Sequence, residues 1–251
     1  MTAITEQDLI IEAPIEEQYD PTAPFDHTVK HSDTYYEQYM ESFVPNEKKR
    51  LLYRFVKRSF DVVASFLMLL LASPVMLAIA IAIKCDSKGP VIFKQQRMGK
   101  DGRNFTCYKF RSMTTEAPHD CATSQLAHPE SYQTRVGRVL RKLSLDELPQ
   151  LWCVLIGTMS FIGYRPLVLT EEKCNAMRER LGVFSMRPGI SGYAQVHGRD
   201  DVYYKNKAIL DSIYVKRASL WMDLKLVFQT VAVVLKKEGN QDNAMTNEVK
   251  K

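Results

Sequence analysis

The chain has 251 residues, 45% of them apolar, which is enough to bury a core in one ordinary domain or two small ones and excludes wholesale disorder. Its formal charge of +5 divides at about Asn46: ten acids and one lysine up to that point give −9, and 33 basic against 19 acidic residues beyond it give +14. A body this basic calls for an anionic partner, and composition leaves nucleic acid, anionic lipid headgroups and phosphorylated substrates open.

Residues 1–46 carry Pro14, Pro21, Pro24 and Pro45 and no sustained apolar period. That is the composition of a loosely attached or disordered acidic tail, with a regulatory or partner-binding arm as the alternative. No apolar core lies near Met1, so a secretory signal peptide is not expected. Residues 47–84 read as a basic lead-in and a membrane helix, because Val62 to Ile83 is a run of 22 residues without a charge, where about 20 suffice to cross a bilayer. Lys48, Lys49, Arg50, Arg54, Lys57 and Arg58 precede the run, and Lys84, Lys88, Lys94, Arg97 and Lys100 follow it. The positive-inside rule expects such an excess on the cytoplasmic side. A segment that obeys it at both ends enters and leaves by the same face. Ser73-Pro74 sits in the middle, and the proline removes a helical N–H donor, which predicts a bend. A re-entrant hairpin bent at Pro74 meets both observations; a kinked single span and a buried soluble helix are the alternatives.

Residues 85–239 read as a soluble domain of α/β (α+β) class, mostly helical with a small β-hairpin, and residues 240–251 as a polar C-terminal tail. The hairpin strands are VIFKQQR and NFTCYKFR, joined by the turn Gly99 to Gly102. Thr114 to Gln133, with Pro118 and Pro129, is a loop. Helical period returns over Val136 to Leu143, Leu148 to Ile156 and Glu171 to Leu181, and MRPGISG from Met186 reads as turn-rich. A last helix is predicted from about Asp201 to Lys237, with Leu220, Leu224, Val227, Val231 and Val234 near helical spacing, either docked in the core or lying on a membrane surface.

The five cysteines, Cys85, Cys107, Cys121, Cys153 and Cys174, form no C-x-x-C pair, and the five histidines show no paired spacing. Neither a disulfide framework nor a transition-metal site is expected. Chemistry concentrates at Ser144-Leu145-Asp146-Glu147-Leu148-Pro149, where adjacent carboxylates open an apolar-periodic run. S-x-x-E reads as a capping box with Ser144 as N-cap and Glu147 reaching back. Pro149 points instead to a helix that begins near itself. In both readings the acids lie at a helix N-terminus, where the dipole keeps carboxylates ionised. An ionised aspartate is a competent nucleophile toward phosphorus, and a neighbouring glutamate suits a hard cation such as Mg2+. Cations gather around them: Lys109 and Arg111 on the hairpin strand, Arg135, Arg138, Arg141 and Lys142 just upstream, and Arg165 in Gly163-Tyr164-Arg165-Pro166. Arginine forks beside paired acids suit a diphosphate, with a solvated basic face or a headgroup-binding surface as the alternative for any one of them. Arg187-Pro188-Gly189-Ile190-Ser191-Gly192 fixes a tight backbone that could approach a ligand, and Gln195 and Arg199 offer polar recognition. A structural turn explains these glycines equally well.

Taken together, KRSFDVV, the Ser73-Pro74 break, VIFKQQRMGKDGRNFTCYKFRSM, LRKLSLDELPQLWCVLIGTMSFIGYRP and RPGISGYAQVHGR resemble the bacterial sugar transferases, also called monotopic phosphoglycosyl transferases, from about Arg54 to Gly239. The resemblance implies transfer of a sugar 1-phosphate from a UDP-sugar to polyprenyl (undecaprenyl) phosphate on the cytoplasmic face of the bacterial inner membrane. The products would be polyprenyl-diphosphate-sugar and UMP, at the start of exopolysaccharide, capsule, O-antigen or glycoprotein glycan synthesis. It implies Asp146 as the nucleophile of a covalent phosphosugar intermediate, Glu147 as part of an Mg2+ site, and a re-entrant helix bent at Ser73-Pro74. Lys109, Arg141, Arg165 and Asp211 occupy positions that match the family's phosphate, nucleotide and structural support, and Arg111, Pro166, Pro188, Gly189, Gln195 and Arg199 complete the candidate substrate-binding set. The implied partners are the UDP-sugar, polyprenyl phosphate and membrane lipids. Nucleic acid is disfavoured, and a homodimer or glycan-assembly partners stay open. The family commonly has Asn at Cys153, Asp at Thr158 and Pro at Tyr164, departures that bear on donor selectivity or local loop geometry. A catalytically silent scaffold, and a glycosyltransferase that would release UDP in place of UMP, are the competing readings.

Overall fold

A computed structural model of the chain describes residues 19–21, 23–43, 50–122, 125, 126, 128–197 and 203–235. Its helices are α1 (Asp33–Ser42), α2 (Leu51–Asp86), α3 (Arg135–Lys142), α4 (Gln150–Ile156), α5 (Glu172–Arg180), α6 (Tyr193–His197), α7 (Tyr204–Arg217) and α8 (Leu220–Leu235). Four short strands accompany them among the described residues: β1 (Ile92–Met98) and β2 (Asn104–Phe110) form the expected antiparallel hairpin, and β3 (Ser160–Ile162) and β4 (Gly189–Ser191) form a parallel pair. The hairpin register runs from Ile92 opposite Phe110 to Met98 opposite Asn104, and its turn holds Asp101 and Gly102 at φ 57° and 68°. A one-turn connection of this kind needs left-handed backbone, which glycine adopts without steric cost.

The parallel pair corrects the reading of MRPGISG as turn-rich. Ser160 faces Gly189 and Ile162 faces Ser191, so Gly189 belongs to a strand and Gly192 follows directly on its end. A Cβ on Gly189 would lie 2.2 Å from the Gly163 nitrogen, and one on Gly192 would lie 1.8 Å from the Gly163 carbonyl oxygen. Backbone packed on backbone is what these glycines permit.

Helix α2 spans 36 residues, or about 54 Å at helical rise, and is long and apolar enough to cross a membrane. It runs unbroken through Pro74. The Leu70 carbonyl would ordinarily accept from the amide four residues on, which Pro74 lacks; the Ser73 hydroxyl donates to that carbonyl instead, at 2.8 Å. The middle of α2 is bare, with Phe66, Leu67, Leu70, Leu71, Val75 and Leu77 exposed. Both of its ends are fastened to the same body. Near the start, the Tyr53 hydroxyl and the Lys57 ammonium each donate to Asp223 Oδ2 at 2.8 Å, and Arg58 donates to the Val154 and Leu155 carbonyls at the end of α4 at 2.6 and 2.7 Å. Near the finish, Ile79 and Ile83 pack with Phe110 and Leu140, and Asp86 accepts from the Val136 amide at the start of α3 at 3.0 Å.

Two expectations fail at the chain ends. The acidic tail is not loose over residues 33–42: α1 is a helix capped by the Ser32 hydroxyl, and its Tyr35 and Tyr36 are buried in a core with Tyr164, Leu167, Met177, Leu181 and Ile209. Charge composition concealed an aromatic face. The single C-terminal helix is in fact two, because Ser219 caps α8 by accepting from the Met222 amide at 3.2 Å, with Asp223 in the first turn. The predicted stripe Leu220, Leu224, Val227 and Val231 is exposed, and Leu226 on another face docks beside Ile162, Tyr214 and Ala218, with Met222 packed against the same cluster. Residues 1–18 of the expected tail and the whole of 240–251 lie outside the described residues.

Candidate active site

The acids sit where the chain leaves α3. Ser144 is left-handed at φ 55°, a 3-10 turn covers Leu145–Glu147, and Pro149 leads into α4. Leu145 and Leu148, three apart and so on one side of such a turn, pack into the cluster of Ile79, Ile83, Phe110 and Leu140. The pair between them is thereby anchored to the second half of α2 and to β2. No capping box forms: the Ser144 side chain makes no cap bond, and Glu147 reaches across to other elements. The helix begins at Gln150, as the Pro149 reading expected.

Glu147 Oε1 accepts from Lys109 Nζ at 2.7 Å and from Arg165 Nη2 at 3.2 Å. Lys109 comes from β2 and Arg165 from the segment after β3. Burial opposes the charge on Glu147, but Lys109, Arg165 and Arg97 outweigh it, so its carboxyl lies below the ordinary glutamate range. Asp146 behaves in the opposite sense. Its residue is only 9% exposed, and burial, with the Glu147 charge beside it, pushes its carboxyl above the ordinary aspartate range against the pull of Lys109, Arg141 and Arg165. Its carboxylate makes no hydrogen bond or ion pair with another side chain among the described residues. A partly desolvated carboxylate within the field of several cations is a reactive one, free to engage an incoming group.

Arg165 is itself held from behind. The buried Arg178 of α5 donates to the Arg165 carbonyl at 2.9 Å and pairs with Asp211 of α7, the two side chains being 0% and 1% exposed. Asp211 is therefore sealed in the interior and supports the site without reaching a substrate. Of the other expected residues, Arg141 acts on Asp146 through its charge, and the Pro166 carbonyl accepts from Arg97 at 2.6 Å. Arg111 is not brought to the dyad: its guanidinium donates to the Ser87 carbonyl and hydroxyl at the end of α2, at 2.7 and 2.8 Å. Pro188 and Gly189 are engaged in strand pairing, the Pro188 carbonyl accepting from Ser160 and the Gly189 amide donating to Tyr164 O, both at 2.8 Å. Gln195 turns back on the Ile190 carbonyl at 3.0 Å, so these three serve packing rather than the dyad. Arg199 lies outside the described residues.

Sequence reasoning missed Arg97 and Arg178. Arg97 was counted only as a charge flanking the apolar run, yet its side chain binds Gln95 Oε1 through two nitrogens, at 3.2 and 2.8 Å, and its charge acts on Glu147. The two-residue spacing of Gln95 and Arg97 on a strand was the available signal. Arg178 gave none, since it stands in a helix rich in charges that face water. Two of the three departures, Cys153 and Tyr164, are fully buried, and the half-buried Thr158 donates to the Cys153 carbonyl at 3.1 Å. Tyr164 lies under the Arg178 guanidinium, 5.4 Å from ring centre to carbon. They shape the packing behind the site.

A family model described as bacterial sugar transferase matches residues 52–237. The chain is 41% identical over 202 residues to the undecaprenyl-phosphate galactose phosphotransferase of Salmonella typhimurium, covering 74% of this chain and 42% of that protein. It is 41% identical over 190 residues to the undecaprenyl-phosphate glucose phosphotransferase of Komagataeibacter xylinus, covering 70% and 35%. Against the exopolysaccharide production protein ExoY of Rhizobium meliloti it is 37% identical over 216 residues, covering 79% and 94%. The chain thus spans less than half of the first two relatives and nearly all of the third. With the Asp146-Glu147 pair, its cations and the long apolar helix inside the matched segment, the chain belongs to the bacterial sugar transferases.

Proposed function

We propose that the chain transfers a sugar 1-phosphate from a UDP-sugar to polyprenyl phosphate, giving polyprenyl-diphosphate-sugar and UMP. The carrying observation is the asymmetry of the dyad: Glu147 is pinned by Lys109 and Arg165, whereas Asp146 is desolvated, surrounded by cationic charge and uncommitted. Asp146 attacks the sugar-bearing phosphorus of the donor, its carboxylate oxygen forming a bond to phosphorus as the bond to the bridging oxygen breaks and UMP leaves. A phosphate oxygen of the acceptor then attacks the same phosphorus and releases the carboxylate. Lys109, Arg165, Arg141 and Arg97 supply positive charge for the phosphoryl oxygens in both steps. The names of the galactose and glucose phosphotransferases support transfer of a sugar phosphate with undecaprenyl phosphate as acceptor, and the ExoY relative supports a part in exopolysaccharide production.

The donor set fits Mg2+. Lys109 and Arg165 both bind Glu147 through Oε1, and the remaining carboxylate oxygens of Glu147 and Asp146 are hard donors of the kind this ion prefers. Among the described residues no group of three or more acids, histidines or cysteines gathers, so phosphate and water oxygens would complete the shell. Bound there, Mg2+ would neutralise phosphate charge.

The re-entrant topology is part of the same proposal. Support comes from the fastening of both ends of α2 to one body, which a straight crossing would place on opposite sides of the bilayer. The basic residues flanking both ends support a cytoplasmic face for that body, and the exposed Trp221, Leu224 and Phe228 of α8 support an interfacial helix beside it.

The test is donor alone, without acceptor, in nanodiscs. The expected result is release of UMP with a mass increase of one phosphosugar on the protein, abolished in Asp146→Asn. Release of UDP, or turnover with an enzyme that never carries the label, overturns the proposal.

A further inference from the structure

Residues 23–43 precede the segment that matches the family, and the reaction chemistry gives them no task. They are nevertheless laid closely on the site's support. The Tyr36 hydroxyl donates to Asn206 Oδ1 at 2.6 Å, and the same side chain, buried at the start of α7, donates from Nδ2 to the His27 and Val29 carbonyls at 3.1 and 2.7 Å. Further along α7 the Tyr39 hydroxyl meets Ser212 Oγ at 3.2 Å, one residue from Asp211. Lys205 pairs with Asp33 at 2.5 Å, and His27 Nε2 lies 2.7 Å from the His197 carbonyl.

Two routes lead from these contacts to Arg165. Tyr35 and Tyr36 share one core with Tyr164 and Leu167, the residues that bracket Arg165-Pro166. Helix α7 carries Asp211, which holds Arg178, which in turn holds the Arg165 carbonyl. Arg165 ends on Glu147. We propose that residues 23–43 are a positioning element of the active site, a strap that fixes α7 and the Tyr164–Leu167 segment so that Arg165 keeps its hold on Glu147. This rests on the reading of Arg165 and Glu147 given above. Removing the strap's rings empties part of the core around Tyr164 and lowers the local opening free energy of the segment that carries Arg165.

A double-mutant cycle in nanodiscs, run below the unfolding temperature, separates positioning from plain stabilisation. Tyr36→Ala/Tyr39→Ala is expected to lower kcat about tenfold with donor KM held within about twofold, and to cost less than about twofold when Arg165→Ala is already present. Equal losses in the two backgrounds overturn the proposal. If near-ultraviolet dichroism shows that the double variant does not fold, Tyr36→Phe decides in its place, with a loss of about threefold that must again vanish beside Arg165→Ala. Amide exchange over residues 163–168 supplies a readout independent of the reaction: it is expected to quicken in the strap variant, and unchanged exchange overturns the strap. If wild-type protein yields no UMP with any UDP-sugar, the reading of the reaction has failed, and the exchange measurement alone decides the strap.

Discussion

Arg165 stands between two ionic clusters built from the same residue types. In front, Glu147, Lys109 and Arg165 have side chains 19%, 17% and 28% exposed; behind, Arg178 and Asp211 are 0% and 1% exposed. The rear pair balances one cation against one anion. The front cluster sets Lys109, Arg165, Arg141 and Arg97 against Asp146 and Glu147, so positive charge is in excess where water can still enter. An excess of that sign, left partly open, is a demand for phosphate; a closed and neutral pair is a demand for nothing but its own integrity. The two clusters therefore differ in what their removal should do: loss of chemistry in front, loss of the fold behind.

The sharpest way to break that contrast is Asp146→Asn. Transfer should fall about 10⁶-fold, the scale for removing a nucleophile, while the thermal midpoint holds or rises, because a carboxyl pushed upward by burial costs stability at neutral pH. A lowered midpoint would make Asp146 a structural residue. Asp211→Asn should do the reverse, leaving an uncompensated Arg178 in the interior at a cost of about 3–5 kcal/mol in denaturation measurements. A variant that unfolds like wild type would dissolve the distinction between the clusters. Lys109→Met sharpens the front cluster alone. Lys109 pulls both carboxyls down, so the acidic limb of kcat/KM, where activity is lost as pH falls through the Asp146 range, should move to higher pH. An unmoved limb would assign it to another group. Smallest of all is Glu37→Gln, which removes an ion pair with Arg180 whose members are 57% and 60% exposed. Its effect on the midpoint should not exceed that of about 0.5 kcal/mol.

The hairpin, the period of α3, the start of α4 and the long apolar element were legible because each has a local cause: strand alternation around a glycine turn, apolar spacing over Val136 to Leu143, Pro149 as a start signal, and an uninterrupted apolar run. The dyad and Arg165 were legible as types, and their meeting required the fold, since Lys109, Glu147 and Arg165 come from three separate elements. What stayed hidden was decided by tertiary burial. Tyr35 and Tyr36 vanish in an acidic composition, Arg178 looks like any surface cation of α5, and Arg111, two residues after Lys109 but just past the end of β2, is claimed by Ser87. Periodicity carried the helical reading across Ala218-Ser219 because Ser219 looks like any polar residue until its hydroxyl is seen to cap the next helix.

The Ser73 hydroxyl on the Leu70 carbonyl changes what the Ser-Pro pair means for sequence change. In hydrocarbon no water can serve a carbonyl that proline has left without a partner, so the serine is a prosthesis for the missing amide. Losing Ser73 alone strands the Leu70 oxygen, losing Pro74 alone restores the amide and makes the hydroxyl redundant, and losing both leaves an ordinary straight helix. The two positions are thus ordered in their tolerance: replacing the serine is expected to cost less once the proline is gone, because the Leu70 carbonyl then has an amide partner again.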